Sequence, residues 1–295
     1  MELSSCRIGP FNLYTIETGR FGLDGGAMFG VVPKPLWERA IRPDDHNRIP
    51  LSMRCLLVES TKTDRRYLID TGIGYKFNEK FQGIYKIDHK HSDLAESLDY
   101  HGFSISDISD VIFTHLHFDH CGGASYQSNG GEVRLTFSEA KHWITESHWE
   151  TALNPNAREK ASFLDENLEP IRQQSRLELV SGHHTFEDGL STIIVNGHTI
   201  GQQLVRIEDN GITLLFAADL VPTAAHVPLP WVMGYDMHPV QTLEEKKDIL
   251  DKWSEPNHYL FLEHDATNEI ITVSKTKNKY IVEHFMRLSD LSDSI

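Results

Sequence analysis

The chain of 295 residues has only three cysteines, Cys6, Cys55 and Cys121, and their spacing matches neither a disulfide framework nor a CxxC metal site. That scarcity points to a reducing compartment, so the cytoplasm is the expected location. Basic charge is also short: 28 Lys and Arg stand against 43 Asp and Glu, a formal net charge of -15. Nucleic acids are held through their phosphates by basic surfaces, so this balance argues against a nucleic-acid partner. The one basic cluster, KTKNKY near 275, is short and reads as a solvated face. No apolar run approaches the length of a membrane span, and MELSSCRIGP has no apolar signal core, so no membrane partner is expected. Internal repeats are missing, and the only low-complexity stretch is the polar LSDLSDSI at the C-terminus.

What is present is a core. At 39% hydrophobic content the chain can bury a full interior, and no Gly/Ser/Pro linker divides it, so residues 1–295 read as one domain. FNLYTIETG, SMRCLLVES and RRYLIDTG have strand composition between turn residues. SDLAESLDYHG places Leu94, Leu98 and Tyr100 at helical spacing, with Ser92 as N-cap and Gly102 as stop. The stretch from about 138 to 175 reads as a helical insertion of two helices around Asn154-Pro155-Asn156. Strands return with RLELV, STIIVNG, GQQLVRIED, ITLLFAAD and HYLFLEHD, and TLEEKKDILDKW is an amphipathic helix with Leu243, Ile249, Leu250 and Trp253 on its apolar positions. Strand-rich halves with helices between them predict two sheets packed face to face, with helices outside.

One short stretch carries the chemistry. VIFTHLHFDHCGG, residues 111–123, packs three histidines and an aspartate into six positions. In an extended chain His115, His117 and Asp119 share one face and Leu116 and Phe118 the other. His120 enters as the chain turns, and Gly122-Gly123 permit the turn. A lone buried histidine is more often structural, but neutral imidazoles and a carboxylate crowded this closely suit a borderline divalent ion. Three further donors stand at strand ends: His198 in TIIVNGHTIGQ, Asp219 in ITLLFAADL and His264 in HYLFLEHDA. Cys121 reads as a small residue packed under the turn, and GLDGGAMFG lacks the Lys-Ser/Thr of a P-loop.

The order HxHxDH, then His, Asp and His, resembles the metallo-β-lactamase superfamily. The resemblance covers most of the chain and implies a four-layer αββα sandwich with a metal site at one edge of the sheets. It implies that His115, His117 and His198 hold one ion, that Asp119, His120 and His264 hold a second, and that Asp219 bridges them. Asp70, in YLIDTGIG, would stand behind the metal-binding loop. Two divalent ions are therefore expected, zinc first, with manganese, iron or cobalt accepted by the same donors. Such a pair shares a hydroxide that attacks as nucleophile near neutral pH, so the expected chemistry is hydrolysis. Asp119 would orient that hydroxide or carry a proton to the leaving oxygen, and Asp219 completes the catalytic pair.

Two segments bear on substrate. FGLDGGAMFGVVPKPLW offers Met28, Phe29 and Trp37 as exposed apolar groups, and VPLPWVMGYD offers Trp231, Met233 and Tyr235. With Phe118 they suggest an apolar substrate wall. HLHFDH, GGAMFGVVPKPLW, GHTIGQ, ADLVPTAAH and the pair at 264–265 resemble the quorum-quenching N-acyl-homoserine-lactone lactonases. That resemblance implies ring opening of a small apolar lactone. Many of those enzymes have a tyrosine three residues after the bridging aspartate, where this chain has Pro222, and Tyr235 is the candidate replacement. Two alternatives stand beside it: a phosphotriesterase or aryl esterase of the same superfamily, and a non-catalytic metal-binding scaffold or sensor. A homodimer through the N-terminal loop or the 138–175 helices is a family-level expectation.

Overall fold

The β-branched and apolar runs pair into two seven-stranded sheets in the computed structural model, which describes residues 3–293 except His91, Gln174 and Asn278. Gln174 ends the second expected helix, Asn278 lies in KTKNKY, and residues 294 and 295 end the polar C-terminal stretch; these lie outside the described residues. The first sheet opens with β1 (Ser5–Ile8) antiparallel to β2 (Phe11–Asp24). The short helices α1 (Gly25–Phe29) and α2 (Lys34–Trp37) lead to β3 (Arg48–Ser60), which pairs with β2 from Phe11 opposite Ser60 to Asp24 opposite Arg48. Next comes β4 (Arg66–Ile69), antiparallel to β3. After α3 (Glu79–Tyr85) and α4 (Leu94–Tyr100), β5 (Asp110–Ile112) joins parallel to β4.

A one-turn helix, α5 (Phe118–Cys121), and a ribbon of β6 (Ser125–Gln127) with β7 (Val133–Leu135) follow. The sheet ends with β8 (Lys141–Thr145) and β9 (Leu177–Val180), both parallel to β5, with α6 (Glu146–Leu153) and α7 (Asp165–Arg172) between them. The 138–175 stretch is therefore no purely helical insertion. Lys141–Thr145 completes the first sheet because the open edge of β5 takes its backbone groups: Asp110 pairs Lys141 and Ile112 pairs Trp143. Trp143, Ile144 and Thr145 favour a strand, but no turn residue separates them from the helix that follows, so the sequence does not delimit this strand.

The second sheet runs in chain order: β10 (Thr185–Glu187), β11 (Leu190–Val195), β12 (Gln202–Asp209), β13 (Ile212–Phe216), β14 (His258–Phe261), β15 (Ile270–Thr276) and β16 (Lys279–Met286). All its pairs are antiparallel except β13 with β14, which α8 (Pro239–Trp253) connects as a crossover. The period of β3 shows why the layers stack. Leu56 and Val58 enter one core with Leu204, Ile207, Leu214 and Phe216 of the second sheet. Cys55 and Leu57 enter the opposite core with Leu98, Trp149 and Leu168 from α4, α6 and α7. On the other side α8 packs against β14 and β15 and buries Ile249, Leu250 and Trp253. This is the expected αββα sandwich.

Smaller expectations differ. Asp93, rather than Ser92, caps α4, accepting the Glu96 N–H at 2.8 Å, and Gly102 follows with φ +82°. Met28, Phe29 and Trp37 are buried, not exposed, because α1 and α2 fold onto Ile49, Leu51 and Met233. Among the described residues no helix is long and apolar enough to cross a membrane.

Candidate metal centre

Strand direction gathers the donors. β4 and β5 run parallel, so Asp70 after β4 and the histidine loop after β5 leave the sheet at the same edge. In the facing sheet β11, β13 and β14 share one direction, and their C-terminal ends release His198, Asp219 and His264. Ligand sites in open α/β sheets favour such carboxyl ends.

The loop is built on Asp70. Its carboxylate accepts the Thr114 N–H at 2.7 Å and the Thr114 hydroxyl at 2.6 Å, and its other contact is His120 Nδ1 at 3.0 Å. Asp70 holds φ at +57°, which turns the chain beneath the loop. His148, fully buried, accepts the Leu116 N–H on Nε2 at 2.8 Å and faces the Ile200 carbonyl with Nδ1 at 2.8 Å. Burial pushes its pKa down to about 3, so it stays neutral and holds the backbone between His115 and His117.

The extended-chain reading of the motif holds only at its start. Phe118–Cys121 is helical, so Asp119 reaches inward from a first turn, and Phe118 faces the same cavity as His117 and Asp119. Gly122 has φ -59°, so no left-handed turn requires it. Its necessity is close approach: a Cβ on Gly122 would stand 2.2 Å from the Ile73 carbonyl oxygen, and one on Gly123 2.1 Å from that of Thr71. Cys121 is buried, donates to the Leu116 carbonyl at 3.3 Å and is pushed up to about 12 by burial, as a packing residue would be.

All seven expected donors converge, and all are at most 7% exposed. His115, His117, His198 and Asp219 form one group, and Asp119, His120 and His264 a second. In the first, His117 Nδ1 lies 3.0 Å from His115 Nε2 and 3.2 Å from His198 Nε2. In the second, His264 Nε2 lies 3.2 Å from His120 Nε2, and Asp119 Oδ2 is 3.8 Å and 3.9 Å from these nitrogens. Asp219 stands between the groups. Its Oδ2 is 3.1 Å from His198, 3.5 Å from His120 and 3.7 Å from His115, and its Oδ1 is 3.2 Å from His264.

Every histidine in the cluster has its outward nitrogen engaged. His115 Nδ1 meets Thr114 Oγ1 at 3.0 Å, His117 Nε2 meets Glu159 at 3.2 Å, and His198 Nδ1 meets Asp236 at 3.0 Å. His120 Nδ1 faces both Asp70 at 3.0 Å and Glu263 at 3.2 Å, and His264 Nδ1 meets the Ser52 carbonyl at 2.9 Å. The inward nitrogens are thus left facing one another, which is the arrangement of imidazoles oriented to bind a cation.

The charges say the same. Burial would lower His198 and His264, but the Asp219 carboxylate outweighs it and pushes them up to about 10 and about 9. Burial and the neighbouring imidazoles of His120, His117 and His198 hold His115 well below its ordinary range. A buried pocket that demands positive charge between histidine nitrogens and carboxylates fits divalent metal ions.

Five of the donors, His117, Asp119, His198, Asp219 and His264, form the floor of a cavity of about 320 Å³. Met28, Phe118, Met233 and Tyr235 line it, joined by Leu23, Tyr85 and Met237. Phe29 and Trp231 do not. Phe29 is fully buried, stacked on Trp37 and His226, and Trp231 packs edge-on against Phe29. They support the wall from behind. Sequence reading also missed Glu159, Asp236, Glu263 and His148. Glu263 and Asp236 neighbour His264 and Tyr235, but Glu159 lies in the stretch read as plain helix, and no motif marks it.

The family model of the metallo-β-lactamase superfamily matches residues 50–264. The chain belongs to that superfamily. It is a metal-dependent hydrolase of the superfamily's fold. Among solved structures, a probable metal-dependent hydrolase from Staphylococcus aureus is similar over 95% of this chain and 100% of its own, at 28% identity and a TM-score of 0.84. AidC, a dizinc quorum-quenching lactonase in complex with a product, is 20% identical over 97% and 98% of the two chains, with a TM-score of 0.80. An N-acyl homoserine lactone hydrolase with N-hexanoyl-L-homoserine at its catalytic metal centre is 20% identical over 90% and 95%, with a TM-score of 0.64. The likeness to these two lactonases is one of superfamily fold.

Proposed function

We propose that this superfamily member is a binuclear hydrolase that opens lactone rings of the N-acyl-homoserine-lactone type. The observation that carries the reading is the division of seven buried donors into two groups around Asp219, five of them on the floor of a largely apolar cavity. His115, His117 and His198 would hold one ion and Asp119, His120 and His264 the other, with Asp219 between them. Zinc suits the nitrogen-rich donors, and manganese, iron and cobalt are accepted by the same types. When bound, such ions would supply a water acidified to near-neutral pKa and a Lewis acid for the carbonyl oxygen.

The chain's own groups do the rest. Met28, Phe118 and Met233 exclude bulk water and give an acyl chain an apolar wall. Burial and the nearby Asp119 charge raise both Tyr85 and Tyr235, which keeps their hydroxyls protonated as donors for a substrate oxygen. In this reading Tyr235 takes the place of the tyrosine that Pro222 replaces. Pro222 instead uses its carbonyl to accept the His264 N–H at 3.1 Å. Asp119, with its carboxylate lining the cavity, takes the proton released by the attacking water and returns it to the ring oxygen as that bond breaks.

The test is proton release in weak buffer from a long-chain N-acyl-homoserine lactone by metal-loaded protein, beside Asp219→Ala. Release by the wild type, lost in the variant and with chelator, supports the reading. Turnover of an aryl ester or phosphotriester alone would replace the lactone but keep the centre. Silence on all three substrates would leave a non-catalytic metal scaffold.

A further inference from the structure

Glu159 is a carboxylate with an unusual address. It is 4% exposed, has no Lys or Arg in hydrogen-bond contact among the described residues, and comes from the connection between α6 and α7 rather than from either sheet. Its Oε1 lies 3.2 Å from His117 Nε2 and accepts the Thr199 hydroxyl. Asn156 builds the turn that delivers it, with its Oδ1 accepting the Arg158 N–H at 2.9 Å and the Glu159 N–H at 3.1 Å, while its Nδ2 reaches Glu159 Oε2 at 3.4 Å. Next along the chain, the Arg158 guanidinium donates to the carbonyls of Gly234 and Asp236. One strap thereby ties down the loop that carries Asp236, the carboxylate behind His198.

Burying an unbalanced carboxylate is strongly unfavourable unless its partners compensate. Its partners here are a hydroxyl, an amide and one imidazole, so packing stability alone does not account for Glu159. Its effect on His117 does. Neutral histidine has one N–H, and a carboxylate at Nε2 draws the proton there. Nδ1 is then left with its lone pair, facing His115 Nε2 and His198 Nε2. The same carboxylate raises the electron density of the ring and fixes its plane.

We propose that Glu159 is a positioning residue which, through His117, sets the metal affinity of the His115–His117–His198 group. The proposal rests on the reading of that group as a metal site. Carboxylates placed in this way behind ligating histidines typically govern affinity by about 10- to 100-fold. Glu159→Gln keeps size and one acceptor but removes the charge. It lowers the affinity of one of two metal equivalents by about that factor and leaves the other unchanged.

The experiment titrates metal-stripped protein with zinc against a chromophoric chelator, and records the ligand-field absorption of the cobalt form. Wild type, Glu159→Gln, Thr199→Val and the exposed control Glu150→Gln run together, with thermal melts of each metal-free form. One weakened equivalent in Glu159→Gln, a smaller shift in the same direction in Thr199→Val and an unperturbed metal-free melt support the proposal. Unchanged affinities for both equivalents overturn it, as does a fall in both that tracks a loss of metal-free stability. If Glu159→Gln does not fold, Thr199→Val decides alone on the same criteria. Wild-type protein that takes up no zinc would overturn the metal reading itself, and the proposal with it.

Discussion

Replacing Arg54 with methionine tests how the sandwich holds its site together. Arg54 lies on β3, is 2% exposed, and donates to Glu17 Oε1 at 2.7 Å. Its Nη1 lies at 2.7 Å, 3.0 Å and 3.0 Å from the carbonyls of Leu262, Asp265 and Asn268. One guanidinium therefore ties the first sheet to the loop that carries His264. Methionine keeps much of the apolar stem and removes every donor. Glu17 is left with the Ser52 hydroxyl at 2.8 Å and Arg20 at 3.5 Å.

Breaking a buried pair from one side costs about 3–5 kcal/mol. The orphaned carbonyls belong to the same network and do not add in full, so about 4 kcal/mol is the expected loss. For a chain of 295 residues the unfolding entropy is about 0.6 kcal/mol/K, which lowers the Tm by about 6 °C. Urea and thermal unfolding of the metal-free protein read this directly, and hydrogen exchange should rise most in residues 262–268.

The pH dependence has a definite sign. Burial would raise the Glu17 carboxyl, but Arg54 and Arg20 together hold it below its ordinary value. A carboxyl lowered in the folded state contributes stability above its unfolded pKa, and that contribution is lost as pH falls through the folded one. Wild type therefore loses its advantage over Arg54→Met on acidification below about pH 4.5. A loss under about 1 kcal/mol at neutral pH, or unfolding without a local rise in exchange at 262–268, would refute the reasoning.

Gly122→Ala places a Cβ 2.2 Å from the Ile73 carbonyl, backbone against backbone. The loop has to shift, so a destabilisation of about 2–4 kcal/mol and weaker zinc uptake are expected, measured by urea unfolding and chelator competition. Lys246, fully buried on α8, donates to the carbonyls of Pro228, Leu229 and Trp231 at 3.1, 3.4 and 2.8 Å. Lys246→Met should cost about 2–3 kcal/mol in the same unfolding assay and loosen the segment before Met233 and Tyr235, seen as faster exchange there.

Much of the site was legible because its chemistry is local. Four of the seven donors lie within six residues of one another, and the other three each end an apolar strand run, where sheet edges collect polar groups. The sandwich was legible for the same reason: β3, β13 and β14 are apolar enough to be buried whatever they pair with. The strand at Lys141–Thr145 was not: Trp143, Ile144 and Thr145 suit a strand, but the run passes straight into the residues of α6 with no turn residue to delimit it, and its pairing with β5 exists only in the fold.

By itself, then, the sequence determined the donor set, the layered architecture and the apolar character of the cavity wall, since each depends on residue type and short spacing. Tertiary structure alone decided which apolar residues reach the cavity. Phe29 and Met28 are neighbours in one short helix, yet only Met28 faces it. It also chose the carboxylates behind the histidines. Glu159 lies 42 residues from His117, and Asp236 lies 38 from His198. No local pattern encodes such contacts, because they exist only once two loops from different layers are brought to the same sheet edge.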